Sequence, residues 1–178
     1  MEAKDLKAKI RSIPGFPKPG IVFRDITTLL QDPEAFRCAV DEMAAAFAHA
    51  RPEVVVGVEA RGFIFGSAIA YKLGAAFVPA RKPGKLPAET IRAEYALEYG
   101  TDAIEIHRDA VRAGQRVLLV DDLLATGGTM AATASLVEQL GGQVVGIVFL
   151  IELGFLRGRE KLARYPVVTL VQYASEEE

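Results

Sequence analysis

The run VLLVDDLLATGGT, residues 117 to 129, sets two adjacent carboxylates against a small, hydroxyl-bearing, glycine-rich turn. Neighbouring negative charges repel, and a glycine-threonine turn is costly to order, so both features ask for a ligand. Ala125, Thr126, Gly127, Gly128 and Thr129 follow an apolar strand-like run and open a helical one. Exposed backbone N–H groups at such a helix start make a nest for a phosphate. The turn lacks the Gly-Lys-Ser/Thr of a Walker loop, and its glycine spacing does not fit a dinucleotide fingerprint. Asp121 and Asp122 cannot help to hold a phosphate, but they can accept hydrogen bonds from a vicinal diol. A site that reads both a diol and a phosphate suits a ribose 5-phosphate.

Other segments carry chemistry of their own. EARG, residues 59 to 62, puts Arg61, a planar donor fork suited to phosphate oxygens, just after a β-branched run. Arg81, Lys82 and Lys85 gather positive charge around Pro83-Gly84. YALEYG, residues 95 to 100, offers Tyr95 and Tyr99 as apolar shields, Glu98 as an acid-base group and Gly100 as a hinge. FPKPGIVFRD is a stiff, proline-rich loop with aromatic residues suited to stacking a planar ring.

The elements that must position these groups follow from periodicity. Residues 3 to 12 read as a short amphipathic helix ended by Pro14-Gly15. Asp32-Pro33 caps a helix whose apolar stripe is Phe36, Val40, Met43 and Phe47. EVVVGVEA, AAFVPARK, QRVLLVDD, QVVGIVFLIEL and PVVTLVQY read as five buried strands. GFIFGSAIAYKLG and TMAATASLVEQLGG read as the helices between them, the second with Met130, Ala134, Val137 and Leu140 on one side. This alternation predicts an α/β fold: a mostly parallel sheet with helices on both faces. Between Lys82 and Asp109 the pattern weakens and turns polar, predicting an exposed antiparallel flap over about residues 82–108. One domain over 1–178 with one protruding flap is the expected organisation. The closing SEEE reads as a frayed, solvated tail.

Composition limits the function classes. The chain has 178 residues, enough for one sizeable core, and its 51% hydrophobic and 25% charged content is that of a globular protein. A formal charge of -2 gives no reason to expect nucleic acid as a partner. Cys38 is the only cysteine, so an intrachain disulfide is impossible and a cysteine-based zinc site is not expected. The charged start and the lack of any run near 18 apolar residues predict a soluble, cytoplasmic protein without membrane contact.

VLLVDDLLATGGT resembles the phosphoribosyl diphosphate (PRPP) motif of the type I phosphoribosyltransferases. FPKPGIVFRDIT, EARGFIFG, RKPGKLP, LEYG and GREKL, in the family's order from residue 10 to about 173, narrow the resemblance to its adenine-using branch. The resemblance implies transfer of 5-phosphoribosyl from PRPP to adenine, giving AMP and pyrophosphate, with magnesium carried by PRPP and a homodimeric assembly. It puts Asp121 and Asp122 on the ribose hydroxyls and Ala125 to Thr129 around the 5-phosphate. Glu59, Ala60 and Arg61 would meet pyrophosphate, across a cis Glu59–Ala60 bond, with Arg81, Lys82 and Lys85 nearby. Part of that basic segment reaches the neighbouring subunit's site in related enzymes. Adenine would lie beside Phe16, Val22, Arg24 and Leu153, with main-chain groups near Val22 and Arg24 reading its amine. Glu98 would stand near N7. A family member acting on hypoxanthine, guanine, xanthine or orotate is the alternative, opposed by FRDIT and LEYG. A PRPP-sensing repressor would need a DNA-binding module and a basic face, and the chain has neither the length nor the charge.

Overall fold

In a computed structural model, residues 1–97 and 99–178 are described; Glu98 lies outside them. Five parallel strands make the central sheet, in the order β4-β3-β7-β8-β9. In chain order the elements are β1 (Arg11–Pro14), β2 (Val22–Asp25), α1 (Thr27–Leu30), α2 (Pro33–Phe47), β3 (Val54–Val58), α3 (Gly62–Leu73), β4 (Ala76–Ala80), β5 (Thr90–Ala96), β6 (Thr101–His107), β7 (Arg116–Leu124), α4 (Gly128–Gln139), β8 (Gln143–Leu153) and β9 (Val167–Tyr173). The five runs read as buried strands are the five sheet strands, and each of β3, β7 and β8 has neighbours on both sides.

Two apolar cores flank the sheet, as alternating side chains require. Leu118, Val120, Val148 and Leu150 face α2 and α3, meeting Met43, Phe47, Phe65 and Ile69. Val117, Leu119, Ile147 and Phe149 face α4, meeting Met130, Ala134 and Val137. Asp32 caps α2 as its sequence predicts, its carboxylate accepting from the backbone N–H groups of Glu34 and Ala35.

Four local features differ from the sequence reading. The amino-terminal helix is a 3-10 turn, Ala3–Lys9; from Ile10 the backbone is extended, and β1 pairs antiparallel with β2 inside the proline-rich stretch. Proline sits at the end of β1, where its missing N–H breaks no interior ladder. Secondly, β7 runs two residues past the aspartates, because the long β8 pairs with it as far as Leu124↔Glu152. Thirdly, the flap is an antiparallel hairpin, β5 with β6, whose inner side is not solvated: Ile104 and Ile106 are buried in the α4-side core. Finally, the tail is docked. Glu176 accepts from the backbone N–H of Val22 at 3.1 Å, and Glu178 accepts from Lys7 Nζ at 2.6 Å. A run of three glutamates reads as solvated from its own charge; its partners Lys7, Val22 and Arg24 are over 150 residues away in sequence.

Candidate active site

The carboxyl ends of β3, β4, β7 and β8 open on one rim, the usual place for ligands of an open α/β sheet. At the end of β7 the residues Ala125–Thr129 turn into α4 around a small cavity of about 90 Å³, which Asp121 and Phe149 also line. Gly127 holds φ +87°, a left-handed conformation that favours glycine. The first N–H groups of α4 have no carbonyl a turn earlier to accept them. Such a turn can surround an anion.

The two aspartates are strand neighbours with different surroundings. Asp121 lines the cavity, and its Oδ1 lies so close to Gly62 that an added Cβ there would come within 2.8 Å. Burial, and then the adjacent Asp122 carboxylate, push Asp121 well above the usual carboxylate range. Asp122 is buried, and Arg61 Nε donates to its Oδ2 at 2.6 Å. The groups expected at the ribose and the pyrophosphate are thus paired with each other.

Glu59 ends β3 across a cis Glu59–Ala60 bond, as the resemblance implied. Its partly buried carboxylate collects the basic segment: Arg81 Nε donates at 3.2 Å, Lys85 Nζ at 3.0 Å and the Lys82 backbone N–H at 3.0 Å. Burial alone would raise this carboxyl, but the three donors outweigh it and hold the pKa at about 2. The Lys82 side chain turns the other way, to Asp102 and, at 2.9 Å, to the Tyr95 hydroxyl. Asp102 stands directly opposite Tyr95 in the hairpin register. That cross-strand pairing is the sequence signal that would have found it. Tyr95 itself lies over the start of α4, within 3.3 Å of where a Gly128 Cβ would stand, so the flap covers the Ala125–Thr129 turn. Tyr99 is 86% exposed and contributes no such cover.

The base-side loop joins the same site. The Phe16 ring meets Phe23 edge-on at 5.2 Å, and the Arg61 guanidinium stands 5.8 Å from the Phe23 ring. This chain of contacts links Phe16 to Arg61 and so to Asp122. Phe16 is half exposed, with its ring free for a partner. Leu153 ends β8, partly buried and opposite Tyr173. Arg24 is buried, stacked 3.9 Å from the Tyr173 ring centroid, and donates to Ser12 Oγ at 2.7 Å and to the Glu176 carbonyl at 3.2 Å. Its side chain is structural, which leaves only its main chain for recognition. The Val22 N–H is engaged by Glu176, a residue the sequence reading left in solvent.

Comparison with known proteins agrees with this geometry. The family described as phosphoribosyl transferase domain matches residues 27–173. The adenine phosphoribosyltransferase of Alkaliphilus metalliredigens is 61% identical over 169 residues, covering 95% of this chain and 99% of that one. Among solved structures, the adenine phosphoribosyltransferase of Thermoanaerobacter pseudethanolicus superposes with a TM-score of 0.93 at 55% identity, covering 96% of this chain and 99% of that one. The Saccharomyces cerevisiae enzyme, solved with adenine and an imino-altritol bisphosphate, gives 0.89 at 44% identity over 94% of this chain and 97% of its own. With the strand-turn-helix and its two aspartates in place, the chain belongs to the adenine phosphoribosyltransferases, within the phosphoribosyl transferase domain family.

Proposed function

We propose a division of labour among the residues of this chain for the activity its family gives it, transfer of 5-phosphoribosyl from PRPP to adenine in purine salvage. The observation that carries it is the Ala125–Thr129 turn, which encloses an anion-sized cavity at the start of α4 with Asp121 in its wall. In this reading the turn binds the 5-phosphate, and Asp121 and Asp122 accept from the ribose hydroxyls. Arg61, with the Glu59–Ala60 main chain, binds pyrophosphate. Arg81, Lys82 and Lys85 reach the leaving group by exchanging their carboxylate partners for phosphate oxygens. Phe16, Val22, Arg24 and Leu153 surround adenine, the last three through main chain and apolar contact.

Breaking the bond from ribose C1 to pyrophosphate generates positive charge on the sugar, which water would intercept. Residues 82–108 form the cover, with Tyr95 over the phosphate turn. Glu98, by resemblance, takes the proton that adenine redistributes when N9 becomes glycosidic. Magnesium, when bound, neutralises pyrophosphate charge. Magnesium would arrive on the PRPP oxygens, as the family resemblance implies.

The whole chain, 1–178, acts as a single phosphoribosyltransferase domain, and two copies form the working unit. The exposed Ile64 and Tyr71 on α3 support such pairing. Among the described residues no helix is long and apolar enough to cross a membrane. Incubation with PRPP, magnesium and each base in turn, with identification of the nucleotide formed, tests the reading. AMP from adenine is expected; IMP or GMP as the main product would move the chain to another branch.

A further inference from the structure

The segment GREKL helped to identify the family, yet none of the roles above uses it. Its backbone lies directly behind the phosphate turn. A Cβ on Gly158 would run into the Ala125 carbonyl and come within 2.8 Å of Leu124, and a Cβ on Gly127 would run into the Gly158 carbonyl. Two stretches of main chain therefore meet at van der Waals range, which only glycine at both positions permits. The chain reaches Gly158 through Arg157, a non-glycine residue at φ +57°, so the approach is imposed by its surroundings.

Those surroundings fix the segment at two further points. Leu162, fully buried, packs in the core with Leu124 and Met130, beneath the two ends of the turn. Arg159 is tied to Glu152, a carboxylate only 6% exposed near the end of β8. Arg159 Nε donates to both of its oxygens, at 2.9 and 3.0 Å. The same guanidinium donates to the Val167 carbonyl at 3.0 Å and to Thr169 Oγ1 at 3.1 Å, so it spans β8 and β9. Glu152 also accepts from Thr169 and Gln172. Glu152 pairs in register with Leu124, the residue before the turn.

We propose that the 3-10 turn Gly158–Leu162 is a brace that sets the shape of the phosphate turn, with Arg159, locked by Glu152, as a positioning residue for PRPP. The proposal rests on reading Ala125–Thr129 as the 5-phosphate site. A turn of Ala, Thr and Gly has little side chain with which to hold its own form. Against a rigid backing its N–H groups stay convergent, and the ordering cost is met on folding rather than on binding. Neither Gly158 nor Arg159 touches substrate in this arrangement; they act through the position of the turn. A misplacement of about 1 Å at such a site costs on the order of 10²-fold. The loss should fall on the phosphate and spare the base.

Three variants test this: Gly158→Ala, the double variant Glu152→Gln/Arg159→Met, and Thr129→Val as a probe of the turn itself. For each, binding of ribose 5-phosphate is measured by calorimetry, and KM is determined separately for PRPP and adenine. The expected result is ribose 5-phosphate affinity and PRPP KM worsened at least about tenfold by Gly158→Ala and by the double variant. Adenine KM should stay within about twofold and circular dichroism should be unchanged. A general loss of structure would move both KM values together. Should one variant not fold, the other decides. Parental ribose 5-phosphate binding by the folded brace variants, with Thr129→Val impaired, overturns the brace and leaves the phosphate site standing. Parental binding by Thr129→Val as well overturns the phosphate site itself.

Discussion

Glu59 keeps its charge far into acid, with a pKa of about 2 against an ordinary 4.5. Because the folded value is the lower one, its contribution to stability is complete above about pH 4.5 and is lost as pH falls toward 2. Lys85 is about half exposed, so solvent screening limits that contribution to about 1–2 kcal/mol. Unfolding free energies of the parent and Glu59→Gln, measured by urea between pH 7 and 2, should differ at neutral pH and converge in acid. A constant difference would remove the assignment. Asp122→Ala strands Arg61 and removes a charge-assisted acceptor, worth about 1.5–3 kcal/mol or roughly 10- to 150-fold in PRPP use. Unchanged kcat/KM for PRPP would rule out a ribose contact. For Glu98, single-turnover AMP formation by Glu98→Gln should slow at least about tenfold, because an amide cannot shuttle a proton. A parental rate would make Glu98 part of the cover alone.

The sheet strands and α2, α3 and α4 were legible because each carries its own local pattern: five short apolar runs, helical stripes on α2 and α4, an apolar run on α3, and proline-capped or glycine-closed helix ends. The Ala125–Thr129 turn at the start of α4 was legible for a related reason, since its glycines and hydroxyls are consecutive residues. What stayed hidden is non-local. Asp102 matters only once the hairpin puts it opposite Tyr95, Glu152 only once Arg159 folds back over it, and Glu176 only once the tail crosses β2. The amino-terminal strand β1 exists because β2 is there to pair with it. The docked tail gives a test at this scale. Deleting residues 174–178 removes the acceptor of Val22 N–H, one of the two acceptors of Lys7 and those of one arm of Arg24, and should cost about 1–3 kcal/mol in urea unfolding. An unchanged midpoint would return the tail to solvent.

At the level of the molecule, two cores share one sheet, and only the α4-side core carries the phosphate turn. Leu150 is fully buried in the other core, so Leu150→Ala should destabilise by about 2–5 kcal/mol while kcat/KM below the unfolding transition stays parental. Loss of activity without loss of stability would show that the two cores are not separable. The sheet order has a consequence for how the working protein comes into being. Its central pairing joins Val54 to Val117, and the residues proposed for the site, Asp121, Asp122, Arg61, Phe16 and Leu153 among them, come from stretches scattered between residues 16 and 153. Parallel strands close long loops before any contact rewards them, so folding of such a topology is slow. No fragment of the chain that is shorter than this span carries a complete site. During synthesis the protein therefore has helices and hairpin before it has a binding site, and ligand cannot guide the early steps. In refolding from urea, AMP-forming activity should return only with the last phase, after helical circular dichroism has recovered, and PRPP should slow unfolding without speeding folding.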